Sequence, residues 1–256
     1  MAEEAPFLRA PRSRRGFRLT RRDNAIVRWI GRLRMAGAAQ VAERFGLGCA
    51  VTYARLQGLV RLGLLEHARI FHGAPGVYVA TRIGLASVDL DLPPARVDLR
   101  TYAHDLELGS LVLGLEREFG ADWVKTEREM RAADAAPGRP AGKRPRFAVS
   151  LTGARGQLQL TPSGYPRLHF PDCAVIGAGA EGDRLLAVEL ERTAKGRARL
   201  RRILAGYVAA RHIGSIRYYV RGERVRNLIE DVVTAHRAAS LIEVRDWAAR
   251  ARDDAA

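Results

Sequence analysis

Residues 185–191 read LLAVELE. An apolar run of this length, between Asp183-Arg184 and Arg192-Thr193, is a buried strand. Its side chains alternate between two faces, so Glu189 and Glu191 share one face. Carboxylates in such a place need ion pairs, hydrogen bonds or a metal ion to offset their burial. Three accounts are open: a metal-dependent catalytic site, a fold that once held one, or a half-buried strand with a polar face.

The neighbouring sequence surrounds this strand with alternating elements. YPRLHFPDCAVIG reads as a strand, with Pro171-Asp172 near its middle, and the glycines of GAGAEGD permit a turn after it. AKGRARLRRILAGYVAARH is a helix, SIRYYVRG a strand, ERVRNLIEDVVTAHR a helix and SLIEVRDWA a final strand. Upstream, YAHDLELGSLVLGLEREFG is a helix supported by Leu106, Val112, Leu113 and Leu115. ADWVKTEREMR is expected to be a strand carrying Trp123 and Val124. Residues 132–146 are expected to form a mobile basic loop rich in Pro, Gly and Ala. FAVSLTG and GQLQLTPSG are strands or an excursion. The unit is α/β, of α+β type, over residues 101–256.

The first part of the chain is patterned differently. Residues 1–19 carry Arg9, Arg12, Arg14, Arg15 and Arg18 with little apolar content, a basic flexible arm. TRRDNAIVRWIGRLR places Ile26, Ile30 and Leu33 at helical spacing with Trp29 beside them, and Thr20 with Asp23 supplies an N-cap signal. Met35-Ala36-Gly37 follows it. AAQVAERF is a second helix with Val41 and Phe45 inward, Gly46-Leu47-Gly48 a turn, and CAVTYARLQGLVRL a third helix ending at Gly63. GLLEHARIF and VYVAT are strands around the turn HGAPG, followed by a helix over TRIGLASV. This order over residues 20–88 predicts a winged helix-turn-helix, and DLDLPPARVDLR, residues 89–100, predicts a linker.

Charge points to the partner. The 256 residues carry 43 Lys and Arg against 28 Asp and Glu, a formal net charge of +15. That excess suits a polyanion, and nucleic acid before an anionic membrane. Residues 1–48 alone hold 11 Arg against 4 acidic residues. No apolar run reaches the length of a membrane span, and no apolar region follows the first arginines as in a secretory signal. Cys49 and Cys173 have no metal-ligand spacing, which suits a reduced cytoplasmic, nucleoid-associated setting.

A recognition helix buries one face and offers the other to the major groove. In the third helix Thr52, Leu56, Leu59 and Val60 share the inward side. Ala50, Ala54, Gln57, Gly58 and Arg61 share the other, flanked by Tyr53 and Arg55. Gln57 is suited to adenine, and the arginines to guanine or phosphate. Arg69 and His72, near the hairpin tip, are candidates for backbone or minor-groove contact. These residues predict double-stranded DNA as partner, with no cofactor needed for binding. The alternative is that Arg55 and Arg61 are solvated surface charges. A homodimer is compatible with either.

The acids of the second unit predict a separate chemistry. Phosphodiester cleavage with Mg or Mn needs two or more carboxylates around the ion, and a lysine that steadies negative charge. Asp172 and Glu189 are the candidate metal ligands, with Glu191 and Lys195 completing a candidate catalytic set. His104, Asp105 and Glu107 on the preceding helix are candidates for a further ligand. Lys195, Arg197, Arg199, Arg201 and Arg202 give the following helix a basic face.

The order helix, strand, PD, strand with ExE, helix, strand resembles the PD-(D/E)xK nuclease core. RLGLLEH, GVYVATRIG, HFPDCAVI and AVELERTAKGRARLRRILAGY, spread over about residues 20–222, together resemble the replication-relaxation family of bacterial plasmid and mobile-element proteins. That resemblance implies a winged helix followed by a nuclease-like domain. It also implies a DNA-binding regulator or a factor in plasmid replication or mobilisation. The alternative is a metal-dependent endonuclease targeted by the winged helix. Glu191 stands where the nuclease motif has lysine, and Lys195 follows six residues after Glu189, so the sequence leaves the enzyme question open.

Overall fold

The first helix begins where Thr20 and Asp23 close on each other. The Asp23 N–H donates to Thr20 Oγ1 at 3.2 Å, and the Thr20 N–H donates to Asp23 Oδ2 at 2.8 Å. This reciprocal cap satisfies donors that a helix start leaves free. The computed structural model describes residues 17–135, 145–153, 156–177 and 184–248. They form a mixed α/β protein in two compact units, Met1–Val97 and Asp98–Ala256. The expected basic arm up to Gly16, the expected mobile loop from 136 to 144 and the glycine turn from 178 to 183 lie outside the described residues.

The first unit runs α1 (Arg21–Arg32), β1 (Ala36–Gly37), α2 (Ala38–Phe45), α3 (Cys49–Arg61), β2 (Leu65–Ala68), β3 (Val77–Ala80) and α4 (Arg82–Ser87). Ile26, Val27, Trp29 and Ile30 bury one stripe of α1, joined by Leu33 beyond its end. Phe45 meets the Trp29 ring edge-on, centroids 6.4 Å apart, but is itself only half-buried. Gly46 ends α2 in the left-handed region, φ 60°, a conformation that glycine adopts without strain. Thr52, Leu56 and Leu59 turn α3 inward, whereas Val60 is half-buried.

Residues 36 and 37, just before the second helix, pair with Tyr78 and Val77 as an antiparallel edge strand. All four residues of β3 are buried, and its central place in the order β1-β3-β2 lets it bond on both sides. Thr81 then starts α4, its Oγ1 accepting the Gly84 N–H at 2.9 Å.

The second unit runs α5 (Tyr102–Phe119), β4 (Val124–Thr126), α6 (Glu127–Ala135), β5 (Val149–Ser150), β6 (Leu168–His169), β7 (Cys173–Val175), β8 (Leu185–Glu191), α7 (Arg197–Ala209), β9 (Ile213–Val220), α8 (Glu223–Ala235) and β10 (Ile242–Asp246). Its main sheet has the order β10-β9-β8-β7-β4. β8, β9 and β10 are parallel, and α7 and α8 make the crossovers that parallel pairing requires. β7 lies antiparallel to both β8 and β4. β8 is central, and all seven of its residues are buried. Leu185 and Ala187 belong to one core with Leu200, Ile203, Leu204 and Tyr207 of α7 and with Ile229 and Val232 of α8.

Two expected strands are corrected. Only Val124–Thr126 of ADWVKTEREMR is strand; Trp123 is 54% exposed, and a helix starts at Glu127. Thr126 and Glu129 exchange bonds here as Thr20 and Asp23 do in α1: the Thr126 N–H donates to Glu129 Oε2 at 2.9 Å. YPRLHFPDCAVIG is two strands in two sheets. Leu168–His169 pairs with β5, and Cys173–Val175 with β8, so the chain changes sheets across Phe170-Pro171-Asp172. Pro171 has no N–H for a ladder. FAVSLTG and GQLQLTPSG form an excursion of short pairings, Thr152 with Leu158 and Leu160 with Pro166. Among the described residues no helix is long and apolar enough to cross a membrane.

Candidate functional site

In the first unit the turn between α2 and α3 presents α3 to solvent. Ala50, Tyr53, Ala54, Gln57 and Arg61 are exposed along it, as are Arg69 and His72 in the connection from β2 to β3. The hydroxyl of Tyr78, at the base of this face, has its pKa raised by burial, with the Gln57 side chain pulling the other way. Two residues expected on the outward face are occupied. Arg55 Nη1 lies 3.2 Å from Asp23 Oδ2, and Asp23 is only 1% exposed. Gly58 is buried.

In the second unit β8 carries Glu189 and Glu191 on the face that α7 covers, 1% and 4% exposed. The pairing of Cys173 with Val188, taken one step further, sets Asp172 opposite Glu189. Side chains so opposed are neighbours on the sheet. Asp172 Oδ2 accepts the Leu190 N–H at 2.7 Å, and Oδ1 lies 3.3 Å from His104 Nε2 on α5. Burial disfavours the His104 cation, but the bond and charge of Asp172, with Asp105, raise its pKa on balance.

Glu189 is held from two sides. Its Oε1 lies 2.6 Å from His169 Nε2 and accepts the Tyr207 hydroxyl at 2.5 Å. Burial works against its charge, yet the charge and hydrogen bond of His169, then Lys195 and Tyr207, outweigh burial and lower its pKa. The same carboxylate, after burial, keeps the Tyr207 hydroxyl protonated far above its ordinary range, so Tyr207 is a fixed donor.

Glu191 pairs with Lys195, whose Nζ donates to Oε1. Burial pushes the Glu191 carboxyl up to about 7, reinforced by Glu189 and Asp172 and opposed by Lys195. Burial disfavours the Lys195 cation too, but Glu189, Glu191 and Asp172 together raise its pKa. One lysine therefore serves three carboxylates, and the least favourably placed of them, Glu191, holds its proton near neutrality.

The four residues expected to form a catalytic set, Asp172, Glu189, Glu191 and Lys195, thus come together. His169 and Tyr207 were not expected to join them. Tyr207 sits at the end of the apolar stripe Leu200, Ile203, Leu204, which reads as core, and only its hydroxyl is polar. The remaining acids of α5 turn elsewhere. Asp105 accepts from Thr101 Oγ1 at 2.7 Å. Glu107 Oε1 lies 2.8 Å from Arg221 Nη1 and 2.9 Å from Arg192 Nε, the latter an ion pair off the hydrogen-bond direction. Arg197 pairs with Asp231 at 2.6 Å, and Arg202 Nε bonds the Ala198 carbonyl, so the expected basic face of α7 is partly used within the fold. Arg199 and Arg201 are exposed.

A cleft of about 750 Å³ opens between the starts of α7 and α8, lined among others by Lys195, Arg197, Arg224 and Asn227. Lys195 therefore borders solvent on one side and the acids on the other. Asp172 and Glu189 offer hard oxygen donors of the kind Mg and Mn take. Among the described residues, however, no group of three or more His, Cys, Asp or Glu side chains is arranged to hold a metal ion. Each acid is turned to a protein partner instead. Compared with protein-family models, curated proteins and solved structures, the chain matches none of them.

Proposed function

We propose that this chain binds double-stranded DNA through a winged helix-turn-helix in its first unit, with a nuclease-like second unit. Its role is that of a regulator, or of a replication or mobilisation factor, of a bacterial plasmid or mobile element, acting in the cytoplasm. The observation that carries the reading is α3. It follows α2 across a glycine turn, buries Thr52, Leu56 and Leu59, and leaves Ala50, Tyr53, Ala54, Gln57 and Arg61 outward beside a two-stranded hairpin. Small residues at 50 and 54 let the helix approach base edges, and Gln57 and Arg61 suit adenine and guanine or phosphate. The net charge of +15 supports docking on a polyanion. The test is duplex binding by fluorescence anisotropy at low and moderate salt. Gln57→Ala with Arg61→Ala should weaken binding at least about tenfold. A chain that binds no duplex at 50 mM salt, roughly the low end of the range in which phosphate contacts dominate, sinks the reading.

One observation favours a second reading, a metal-dependent endonuclease: Lys195 reaches Glu191 within a cluster that also holds Asp172 and Glu189. Asp172 and Glu189 would hold a Mg or Mn ion, which would supply charge stabilisation and an activated water. Lys195 would steady negative charge on the phosphate, and Tyr207 and His169 would fix the Glu189 carboxylate. Incubation of supercoiled plasmid with the protein and Mg or Mn decides it. Cleavage that Asp172→Ala abolishes supports an enzyme. Intact plasmid supports binding with a structural acid cluster.

A further inference from the structure

The first turn of α1 is tied to the flank of α3. Its one acid, Asp23, is 1% exposed. Asp23 Oδ2 accepts the Thr20 N–H at 2.8 Å and lies 3.2 Å from Arg55 Nη1 on α3. The same Arg55 nitrogen reaches the Arg18 carbonyl at 3.5 Å, and its guanidinium carbon lies 5.3 Å from the centroid of the Phe17 ring. That ring rests on Gly58, where an added Cβ would lie 2.2 Å from its Cε2. Arg55 and Gly58 are three residues apart and so share one side of α3. The segment from Phe17 to Asp23 is therefore seated along that side.

The same segment carries Arg18, Arg21 and Arg22, all exposed. Among the described residues their guanidinium groups make no ion pair and no hydrogen bond. Asp23 does not offset them, because it is turned inward and neutralised by Arg55. The positive end of the α1 dipole adds to their field. Three like charges so close together repel, and a polyanion relieves that repulsion. Their place beside α3 sets the geometry of the polyanion. A helix in the major groove has a phosphate backbone on either side, across a groove about 12 Å wide. A segment seated on the flank of that helix stands at one of those backbones. We propose that the start of α1 is a second DNA contact, in which Arg18, Arg21 and Arg22 engage backbone phosphates beside the groove that α3 enters. This rests on DNA binding by α3. Arg55 and Gly58 then act as positioning residues: one cancels the acid of the turn, and the other admits the Phe17 ring. Phosphate contacts fix register and carry no sequence information, so this contact adds affinity on any duplex and α3 supplies the choice.

Salt titration of binding by the full chain, followed by anisotropy on two duplexes of unrelated sequence, tests the proposal. Arg18→Ala, Arg21→Ala and Arg22→Ala together should lower the slope of log affinity against log salt by about 2 to 3, near 0.9 for each phosphate no longer neutralised. The drop should be the same on both duplexes. Alanine favours helix, and the guanidinium groups it removes have no internal partner, so the variant should fold; melting by circular dichroism checks this. Arg18→Lys, Arg21→Lys and Arg22→Lys together should rescue the slope to within about 1 of wild type, because phosphate accepts lysine as a point charge. A slope lowered by less than about 1, the value for a single phosphate, overturns the proposal. So does a lowered slope that the lysines leave unrestored. If the alanine variant matches wild type while Gln57→Ala with Arg61→Ala weakens binding, the α1 contact fails and DNA binding by α3 stands. If the wild-type chain binds no duplex, both fail.

Discussion

Glu191 should make this protein less stable as pH rises from about 4.5 to 7. The residue is 4% exposed, and burial, with the charges of Glu189 and Asp172, raises its pKa from an ordinary 4.5 to about 7 despite Lys195. Between those two values the folded chain keeps a proton that the unfolded chain releases. The unfolded state is therefore favoured progressively as pH increases, and the loss is complete above the folded pKa. At about 1.4 kcal/mol per pH unit, the gap corresponds to about 3.5 kcal/mol. Glu191→Gln keeps the shape and removes the titration. The variant should lose the decline in this window and, at pH 8, exceed wild type by about 1–3 kcal/mol, less than the full gap because Lys195 loses a partner.

Urea unfolding of wild type and variant, followed by far-UV circular dichroism from pH 5 to 8, reads this directly. His104 also titrates nearby. Its raised pKa contributes stability that is fully present below 6.5 and is lost as pH rises through the folded value, so His104→Gln separates the two effects. Glu189 acts outside the window. Its lowered pKa contributes stability present above 4.5 and lost as pH falls through the folded value. Wild-type and Glu191→Gln stabilities that decline in parallel from pH 5 to 7 would refute the reasoning.

Tyr207→Phe removes a donor at 2.5 Å from a buried carboxylate and should cost about 1–3 kcal/mol, read from the same denaturation curves. Arg55→Ala leaves Asp23, 1% exposed, without its cation, and should destabilise the first unit by about 1–3 kcal/mol, less than for a fully buried pair because Arg55 is itself 35% exposed. Weakened DNA binding by that variant therefore marks a contact only if its melting curve is unchanged. Gly84→Ala places a Cβ 2.0 Å from the Leu64 carbonyl oxygen, a backbone atom that cannot swing aside, and should cost about 1–3 kcal/mol by thermal melting.

Much of the element order is local physics, and the sequence by itself determined it. The cap of Thr20 and Asp23, the apolar stripe of α1, the glycine turn before α3 and the strand-helix-strand alternation from β8 to β10 all depend on residues a few positions apart. The same holds for Glu189 and Glu191 sharing a face, since alternation along a strand needs no knowledge of its neighbours. The start of α6 was missed: Thr126 and Glu129 exchange the bonds of a helix cap there, but the apolar pair Trp123-Val124 suggested one longer strand.

Tertiary structure alone decided what those groups meet. Nothing local in HFPDCAVI shows that its two halves enter different sheets, because the second partner strand, β5, lies some twenty residues upstream. An arginine on an outward turn of a helix reads the same whether it faces solvent, DNA or a buried aspartate. Asp23 and Phe17 took Arg55 because the fold brought the start of α1 across α3. Glu189 and Glu191 likewise announced a need for partners without naming them. Lys195, His169 and Tyr207 arrive from a loop, a strand of a second sheet and a helix. A buried charge fixes that it must be paired, because burial without a partner costs several kcal/mol. Which side chain pairs with it is a property of chain crossings, and those exist only once the units have folded.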